Sequence, residues 1–203
     1  MEKKQLLIRR GDGRSWDGLG PVRLELTGWL PACPVEAWAR ACHDGKTLYL
    51  LLEAAEAPIR ATLTGKLEQV CEDSCLEFFF APVAGDERYF NFEWNPLGTL
   101  YLGFGGKREQ RVRQIVKDPQ TLFAPRPFQR EGGWGISFRI PAEFISRYFP
   151  GYTFSSPGEG NFYKCGDQTE CPHYLAWSPL DCEKPDYHRR EDFGILRFEG
   201  AEG

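Results

Sequence analysis

Polar side chains alternate with apolar ones in several short segments of the chain. The segments include CLEFFF at 75–80, RYFNFEWN at 88–95 and WGISFRI at 134–140, and the side chains of interest are Glu77, Asn91, Glu93, Tyr101 and Arg139. Carboxylate, amide and guanidinium groups make paired hydrogen bonds to vicinal hydroxyls, and an aromatic ring covers the apolar face of a sugar ring. These side chains therefore suit recognition of a neutral polyol. A solvent-exposed sheet face with a few ion pairs is the alternative, because it would have the same sequence pattern.

A second group of polar side chains lies in the segment GNFYKCGD at 160–167. Asn161, Tyr163, Lys164 and Asp167 place an amide, a phenol, an amine and a carboxylate within seven residues. This density of polar groups favours a binding site. The alternative interpretation of the same residues is a strand that ends in a turn at Gly166. His188, in the stretch PDYH, is either a donor to a ligand hydroxyl or an ordinary loop histidine.

Two other chemistries compete for these residues. Glu77 and Glu93 could face one another from nearby strands as the acid and nucleophile of a glycosidase, but two glutamates on one sheet face are not specific for catalysis. Thiols and imidazoles that could bind zinc cluster in the C-terminal quarter of the chain, at Cys165, Cys171, His173, Cys182 and His188. They form no Cys-x-x-C pair, and no loop has the carboxylate spacing of an EF-hand. The sequence therefore predicts no enzyme, no metal and no other cofactor.

The composition is that of a globular, β-rich chain. Of the 203 residues, 41% are hydrophobic, 14% are aromatic and 27% are charged, and the formal net charge is -4. An aromatic excess is typical of strands, and a weakly acidic chain has no field that attracts nucleic acid or an anionic membrane. No repeat or linker divides the sequence, which predicts a single domain over residues 1–203.

The N-terminus and the cysteines bear on the cellular compartment. The only apolar run in MEKKQLLIRRGDG is Leu6 to Ile8, which is too short for a signal-peptide core or a membrane span. Seven cysteines are an odd number and suit reduced thiols better than a disulfide framework. These features predict a cytoplasmic protein, or a secreted one if a signal peptide has been removed.

Short alternating runs separated by glycine and proline predict an all-β fold with one short helix. In a strand, successive side chains point to opposite faces, so Phe90, Phe92 and Trp94 share a core face opposite Asn91 and Glu93. The predicted strands are 5–10, 22–27, 35–42, 47–54, 59–64, 74–81, 88–95, 99–104, 111–117, 134–140, 160–165, 173–178 and 193–198. The predicted helix is 141–149, and the turn at 95–98 predicts a hairpin. Two such sheets packed on their apolar faces form an antiparallel sandwich.

Several segments together resemble the family 9 carbohydrate-binding modules and their stand-alone relatives. They are AWARACHDGKTLYLLLEA, CEDSCLEFFFAP, RYFNFEWNPLGTLYLGFG, GWGISFRIP, GNFYKCGD, YLAWSP and YHRREDFGILRF, in the order of the family, within about residues 35–198. The resemblance implies a jelly-roll or immunoglobulin-like antiparallel sandwich without catalytic activity, which binds a mono- or oligosaccharide between tryptophans.

The resemblance carries over to only part of the family's binding site. Trp177, in the segment LAWSP, matches one of the two tryptophans that enclose the sugar in this family. Val70 and Cys71 stand where the second tryptophan is expected, so another aromatic residue must supply that wall or the ligand differs. The candidates for the replacement are Tyr163, Tyr187 and Trp94. An interaction or structural module that has lost sugar binding is the alternative function.

Overall fold

The computed structural model describes residues 3–200, and residues 1, 2 and 201–203 of the predicted domain lie outside the described part of the chain. The strands are β1 (Gln5–Arg10), β2 (Val22–Leu26), β3 (Glu36–His43), β4 (Thr47–Ala55), β5 (Cys75–Ala81), β6 (Tyr89–Trp94), β7 (Leu100–Gly105), β8 (Val112–Arg113), β9 (Arg126–Arg130), β10 (Gly133–Pro141), β11 (Gly158–Cys165), β12 (Tyr174–Ala176) and β13 (Gly194–Phe198). The helices are α1 (Pro119–Phe123) and α2 (Ala142–Ser146). The predicted all-β class with little helix is confirmed.

The strands form a β-sandwich of the jelly-roll type. The first sheet runs β8-β7-β6-β5-β11, and both β12 and β13 pair with β11. The second sheet runs β9-β10-β4-β3-β2, and β2 also pairs with β12. All of these pairs are antiparallel, whereas β1 lies parallel to both β13 and β3 and joins the two sheets at another edge.

Alternation along β5, β6 and β10 places one set of side chains in the core between the sheets. Phe90, Phe92 and Trp94 are fully buried, as the sequence predicted. The ring of Phe138 from the opposite sheet lies 6.1 Å from the ring of Phe92 and 5.4 Å from the ring of Trp94. This aromatic contact joins the two layers and leaves the other face of β5, β6 and β7 for a different role.

Some predicted elements are wrong, and local hydrogen bonding explains one of them. Residues 59–64 form no strand, because the backbone amides of Thr62 and Leu63 donate to the carboxylate of Asp73, each at 2.9 Å, instead of joining a sheet. The predicted strand 111–117 is reduced to β8, and the helix predicted at 141–149 is reduced to α2. The exposed strand β9 and helix α1 were missed, although Asp118 caps α1 by accepting from the amide of Thr121 at 2.9 Å.

The expectation of reduced thiols throughout is also wrong for one pair. Cys33 and Cys171 form a disulfide across 138 residues of sequence, with their Cα atoms 6.1 Å apart. This bond connects the segment before β3 with the loop between β11 and β12. Among residues 3–200, none of the helices is long and apolar enough to cross a membrane.

Candidate functional site

The outer face of the first sheet is covered along one side by loops and opens into a cleft of about 350 Å³. Asn91 and Glu93, which the sequence placed on the face opposite the core, are 1% and 7% exposed. A small apolar cluster that includes Phe79, Tyr89 and Phe193 packs under the C-terminal loop on this face. The residues that line the cleft are Trp29, Gln69, Cys71, Glu77, Phe79, Glu93, Tyr101, Arg108, Arg111, Cys165, Asp167, Tyr174, Pro185, Asp186, Tyr187 and His188.

Strand register builds the floor of the cleft. Glu93 on β6 is paired directly with Glu77 on β5 and with Tyr101 on β7. Glu77 is paired on its other side with Tyr163 on β11. Side chains at paired positions of neighbouring strands point to the same face, so these four form one row across the sheet. The sequence predicted the face that Glu77, Glu93 and Tyr101 share, and the register shows that they are neighbours.

Glu93 is a buried carboxyl group with one short hydrogen bond. Its Oε1 accepts from Nδ2 of Asn91 at 2.6 Å, and Oδ1 of Asn91 in turn accepts from the guanidinium of Arg111. Burial raises the pKa of Glu93 to about 7, although the bond from Asn91 and the charges of Arg111 and Arg113 act in the opposite direction. Glu93 can therefore either donate or accept a hydrogen bond near neutral pH.

The walls of the cleft are aromatic, and two of the rings, those of Trp29 and Tyr187, come from loops. The ring of Tyr187 stacks on that of Tyr163 at 4.0 Å, and its hydroxyl donates to the carbonyl oxygens of Lys164 and Leu175 at 3.0 and 3.2 Å. The ring of Trp29 lies edge-on to Tyr174 at 5.6 Å. These contacts hold the loop around residue 187 against the sheet, so the walls of the cleft are ordered by packing.

Two cationic side chains and a histidine border the cleft on the side of β6. Arg111 donates to the carbonyl oxygens of Gly105 and Tyr89 at 2.9 and 3.2 Å and lies 3.9 Å above the ring of Tyr89. Nδ1 of His188 is hydrogen-bonded to the hydroxyl of Tyr89 at 2.8 Å. Burial, followed by the charges of Arg111 and Arg108, lowers the pKa of His188 to about 3, so this imidazole is neutral at physiological pH.

The structure brings eight of the eleven predicted site residues to this region. Five of them line the cleft, namely Glu77, Glu93, Tyr101, Asp167 and His188. Asn91, Asn161 and Tyr163 support it from the same sheet face. Asn161 accepts from the amide of Ser178 at 2.8 Å, and the hydroxyl of Tyr163 donates to the carbonyl of Tyr187 at 3.1 Å, so both fasten the covering loop. A ligand-binding role for these residues remains a prediction.

Lys164 lies in the interior of the sandwich, contrary to its predicted place in a binding site. It is fully buried on the core face of β11, and its Nζ lies 3.1 Å from a carboxylate oxygen of Glu56 and 2.6 Å from Nε2 of His173. Trp134 and Ser74 donate to the same carboxylate at 2.9 and 2.8 Å. Lys164 is therefore the cation of a buried polar network, because alternation along β11 turns it away from the face of Tyr163.

Trp177 and Arg139 are also separated from the cleft. Trp177 is only 4% exposed and belongs to the main core, with its ring 5.9 Å from that of Phe162 and packed against Gly194. Its ring faces are therefore covered, and the predicted open platform is wrong. Arg139 lies on β10 of the second sheet and donates to the carbonyl oxygens of Thr121 and Leu122 at 3.0 and 3.3 Å.

Two other sequence hypotheses have clear outcomes. The residues considered as alternative zinc ligands do not come together as one set, because Cys171 is in the disulfide and His173 belongs to the network of Lys164. Of the three aromatic residues considered for the second wall, Trp94 is in the core and Tyr163 is buried beneath the loop, whereas Tyr187 lines the cleft. Cys71, at the place expected for the second tryptophan, lines the cleft as well.

Sequence reasoning missed several lining residues, most of them in loops. They are Trp29, Gln69, Arg108, Arg111, Tyr174 and Asp186. A lone tryptophan in the glycine- and proline-rich loop TGWLPAC, at 27–33, was the one available signal, because a large aromatic residue outside a strand has no assigned place in a core. Arg111 and Arg113 alternate in RVR, which could have placed both on the sheet face of Tyr101.

Antiparallel sandwiches of the jelly-roll type include sugar-binding lectin domains as well as proteins with other functions. The sequence model of carbohydrate-binding family 9 matches residues 22–198, and the chain belongs to this family. A search among curated proteins finds no match.

Solved structures agree with this assignment. A provisionally assigned carbohydrate-binding protein from Bacteroides uniformis ATCC 8492 is 30% identical with a TM-score of 0.86, over 98% of this chain and 100% of the other. A family 9 module from Caldicellulosiruptor kristjanssonii in complex with cellotriose is 11% identical, with a TM-score of 0.68 over 98% of this chain and 95% of the other. A family 9 module from the same organism in complex with glucose is 12% identical, with a TM-score of 0.66 over 98% of this chain and 97% of the other.

Proposed function

We propose that this protein binds a carbohydrate, without cleaving it, in the cleft between the floor of the first sheet and the C-terminal loop. The observation that carries the proposal is the combination, within one cleft, of planar polar groups on the floor with aromatic rings on the walls. Its volume of about 350 Å³ lies at the lower end of ordinary small-molecule sites, which fits a short saccharide. The cellotriose and glucose complexes of the distant relatives are consistent with a ligand of this class.

The two kinds of surface divide the recognition of a sugar between them. Trp29 and Tyr101 offer apolar ring faces or edges to the C–H groups of a pyranose, which aromatic rings cover favourably. Glu93, Asp167 and Arg108 offer acceptors and donors to its hydroxyl groups. Because Trp29 is held by a bond of 2.8 Å from its Nε1 to the carbonyl of Cys182, its orientation is fixed before a ligand arrives.

Binding without cleavage is favoured by the state of the two floor carboxyl groups. A retaining glycosidase needs one ionised carboxylate as its nucleophile and one protonated carboxyl as its acid. Burial raises the pKa of both Glu77 and Glu93, and no residue among those described makes an ion pair with either. Glu77 is therefore held protonated and Glu93 is only partly ionised near neutral pH, so no neighbouring cation stabilises either group as the nucleophile.

Calorimetric titration of the folded protein with a panel of mono- and oligosaccharides tests this proposal. We expect heat of binding for at least one saccharide and a loss of affinity of about tenfold or more in Trp29→Ala and in Tyr101→Ala, since tenfold corresponds to about 1.4 kcal/mol. Trp38→Ala is the matched control, because Trp38 is a half-buried tryptophan on the second sheet. It should bind as the wild type does.

Two results would contradict the proposal. Absence of heat for every saccharide from a folded sample would favour an interaction module that kept the sandwich and lost the sugar. Equal loss of affinity in Trp38→Ala would place the sugar outside this cleft. Hydrolysis of a chromogenic glycoside panel that Glu77→Gln abolishes would show an enzyme instead.

A further inference from the structure

Two thiols and a carboxyl group meet beneath the floor of the cleft. Sγ of Cys75, Sγ of Cys165 and a carboxylate oxygen of Glu77 all lie within 4.8 Å of one another. The three residues are 0%, 1% and 2% exposed. The two cysteines pack with Val70 in a small apolar cluster apart from the core between the sheets, and apolar packing does not explain the carboxyl group beside them.

The position of the cluster is fixed by the ladder between β5 and β11. Cys75 and Cys165 are directly paired across these strands, and Glu77 lies two residues after Cys75 on the same face. All three ligand atoms are therefore carried by regular strands, which hold a coordination geometry more firmly than loops do.

The charge of Glu77 is not balanced by any protein cation. Within residues 3–200, no lysine, arginine or histidine nitrogen lies within ion-pair distance of its carboxylate. Its hydrogen-bond partner is the thiol of Cys165, which donates to Oε1 at 2.9 Å. A buried carboxyl group is stable in proteins when it is protonated, paired with a cation or bound to a metal.

We propose that Cys75, Glu77 and Cys165 form a three-ligand site for a thiophilic divalent cation of the Zn²⁺ class, with a fourth coordination position directed to the cleft. Two thiolates and one carboxylate are ligands that Zn²⁺ accepts, whereas Mg²⁺ and Ca²⁺ require oxygen ligands. Glu77 and Cys165 also line the cleft, so a solvent molecule or a ligand hydroxyl can reach the fourth position.

Binding of the cation would replace protons on all three ligands. Burial raises the pKa of Glu77 and raises that of Cys75 to about 12, and the hydrogen bond with Cys75, followed by burial, raises the pKa of the Cys165 thiol. A metal ion removes these protons and turns an unfavourable burial of three acidic groups into coordination, which makes the affinity rise with pH. The zinc ligands considered in the sequence analysis form a different set, of which only Cys165 belongs to this cluster.

Titration of the reduced protein with Co²⁺ under anaerobic conditions, without any saccharide, tests this proposal independently of the proposed function. We expect one Co²⁺ per chain, with thiolate-to-cobalt charge-transfer absorption in the near ultraviolet and visible bands typical of tetrahedral coordination. Added Zn²⁺ should abolish both. Because each residue is a ligand, Cys75→Ser, Cys165→Ser and Glu77→Gln should each weaken binding by more than about 100-fold.

Cys42→Ser is the matched control, because Cys42 is another fully buried free cysteine but lies on the second sheet. It should bind Co²⁺ as the wild type does. Circular dichroism of each variant verifies that it is folded, and the wild-type titration decides the question even if a cysteine variant fails to fold. Three results would overturn the proposed metal site. They are the absence of the charge-transfer band in the wild type, its persistence in Cys75→Ser or Cys165→Ser, and a Cys75–Cys165 disulfide that remains after reduction of the protein.

Discussion

Replacement of Lys164 by methionine removes the cation from the buried network in the core. Methionine keeps the length and apolar stem of lysine, so the change tests charge more than volume. It leaves the carboxylate of Glu56, which is 4% exposed, with only the neutral donors Trp134 and Ser74. Removal of one partner of a buried pair costs about 3–5 kcal/mol of unfolding free energy, because the remaining charge is uncompensated.

His173 does not take over the role of the missing cation at neutral pH. Nε2 of His173 lies 3.8 Å from the Glu56 carboxylate, but burial, followed by the charge of Lys164, lowers the pKa of His173 to about 4. Loss of Lys164 removes one of the two causes of this low pKa. The deficit of the variant should therefore be smaller at pH 5 than at pH 8.

Thermal unfolding followed by circular dichroism measures the effect. For a chain of this size, about 3–5 kcal/mol corresponds to a decrease in Tm of about 6–20 °C. The double variant Lys164→Met/Glu56→Gln should recover more than half of the loss, since it removes the unpaired charge. Arg139→Met is the control on an exposed cation and should cost about 1 kcal/mol or less. A Tm for Lys164→Met within about 3 °C of the wild type, or a double variant no more stable than the single one, would refute the reasoning.

Three further predictions concern a core tryptophan and two titrating groups. Trp177→Ala should lose about 3–5 kcal/mol of unfolding free energy in a denaturant titration and keep the saccharide affinity of the folded protein, because the ring is buried in the core. Folding raises the pKa of Glu93 from 4.5 to about 7, so the folded state binds more protons than the unfolded state between these pH values. Glu93 therefore lowers the stability of the wild type as pH rises from about 4.5 to 7. Glu93→Gln should lack that component, and equal pH slopes of Tm in both proteins would contradict this. Folding lowers the pKa of His188 from 6.5 to about 3, so stability should fall as pH decreases below about 6.5, and His188→Gln should lose less Tm between pH 7 and pH 5 than the wild type.

Much of the sandwich was predictable because burial follows alternation in strands. The alternation of apolar and polar residues predicted that Phe90, Phe92 and Trp94 share the core face, and the turn at residues 95–98 predicted the hairpin of β6 and β7. The strand predicted at 59–64 failed because a side chain, Asp73, satisfies backbone amides that would otherwise pair in a sheet. No pattern within 59–64 reports that contact.

The site was less predictable because its parts come from segments that are distant in sequence. The alternation that placed Glu77, Glu93 and Tyr101 on one face says nothing about which loop covers them. Trp177 directly follows β12, where successive side chains point to opposite faces of the sheet. A shift of one residue in register therefore decides whether this ring lies in the core or on the outer face. Lys164 was misplaced for the same reason, as it alternates with Tyr163 on β11.

The cleft combines a floor carried by strands with a rim carried by loops, and these two parts can vary independently. Glu77, Glu93 and Tyr101 owe their spacing to the ladder, so displacement of any one of them disrupts the pairing of β5, β6 and β7. Trp29 and Arg108 belong to connections whose length and composition can change while the ladder persists. In the proposed saccharide site, ligand preference can therefore change through insertions and substitutions at the rim, while the strand ladder of the floor stays the same.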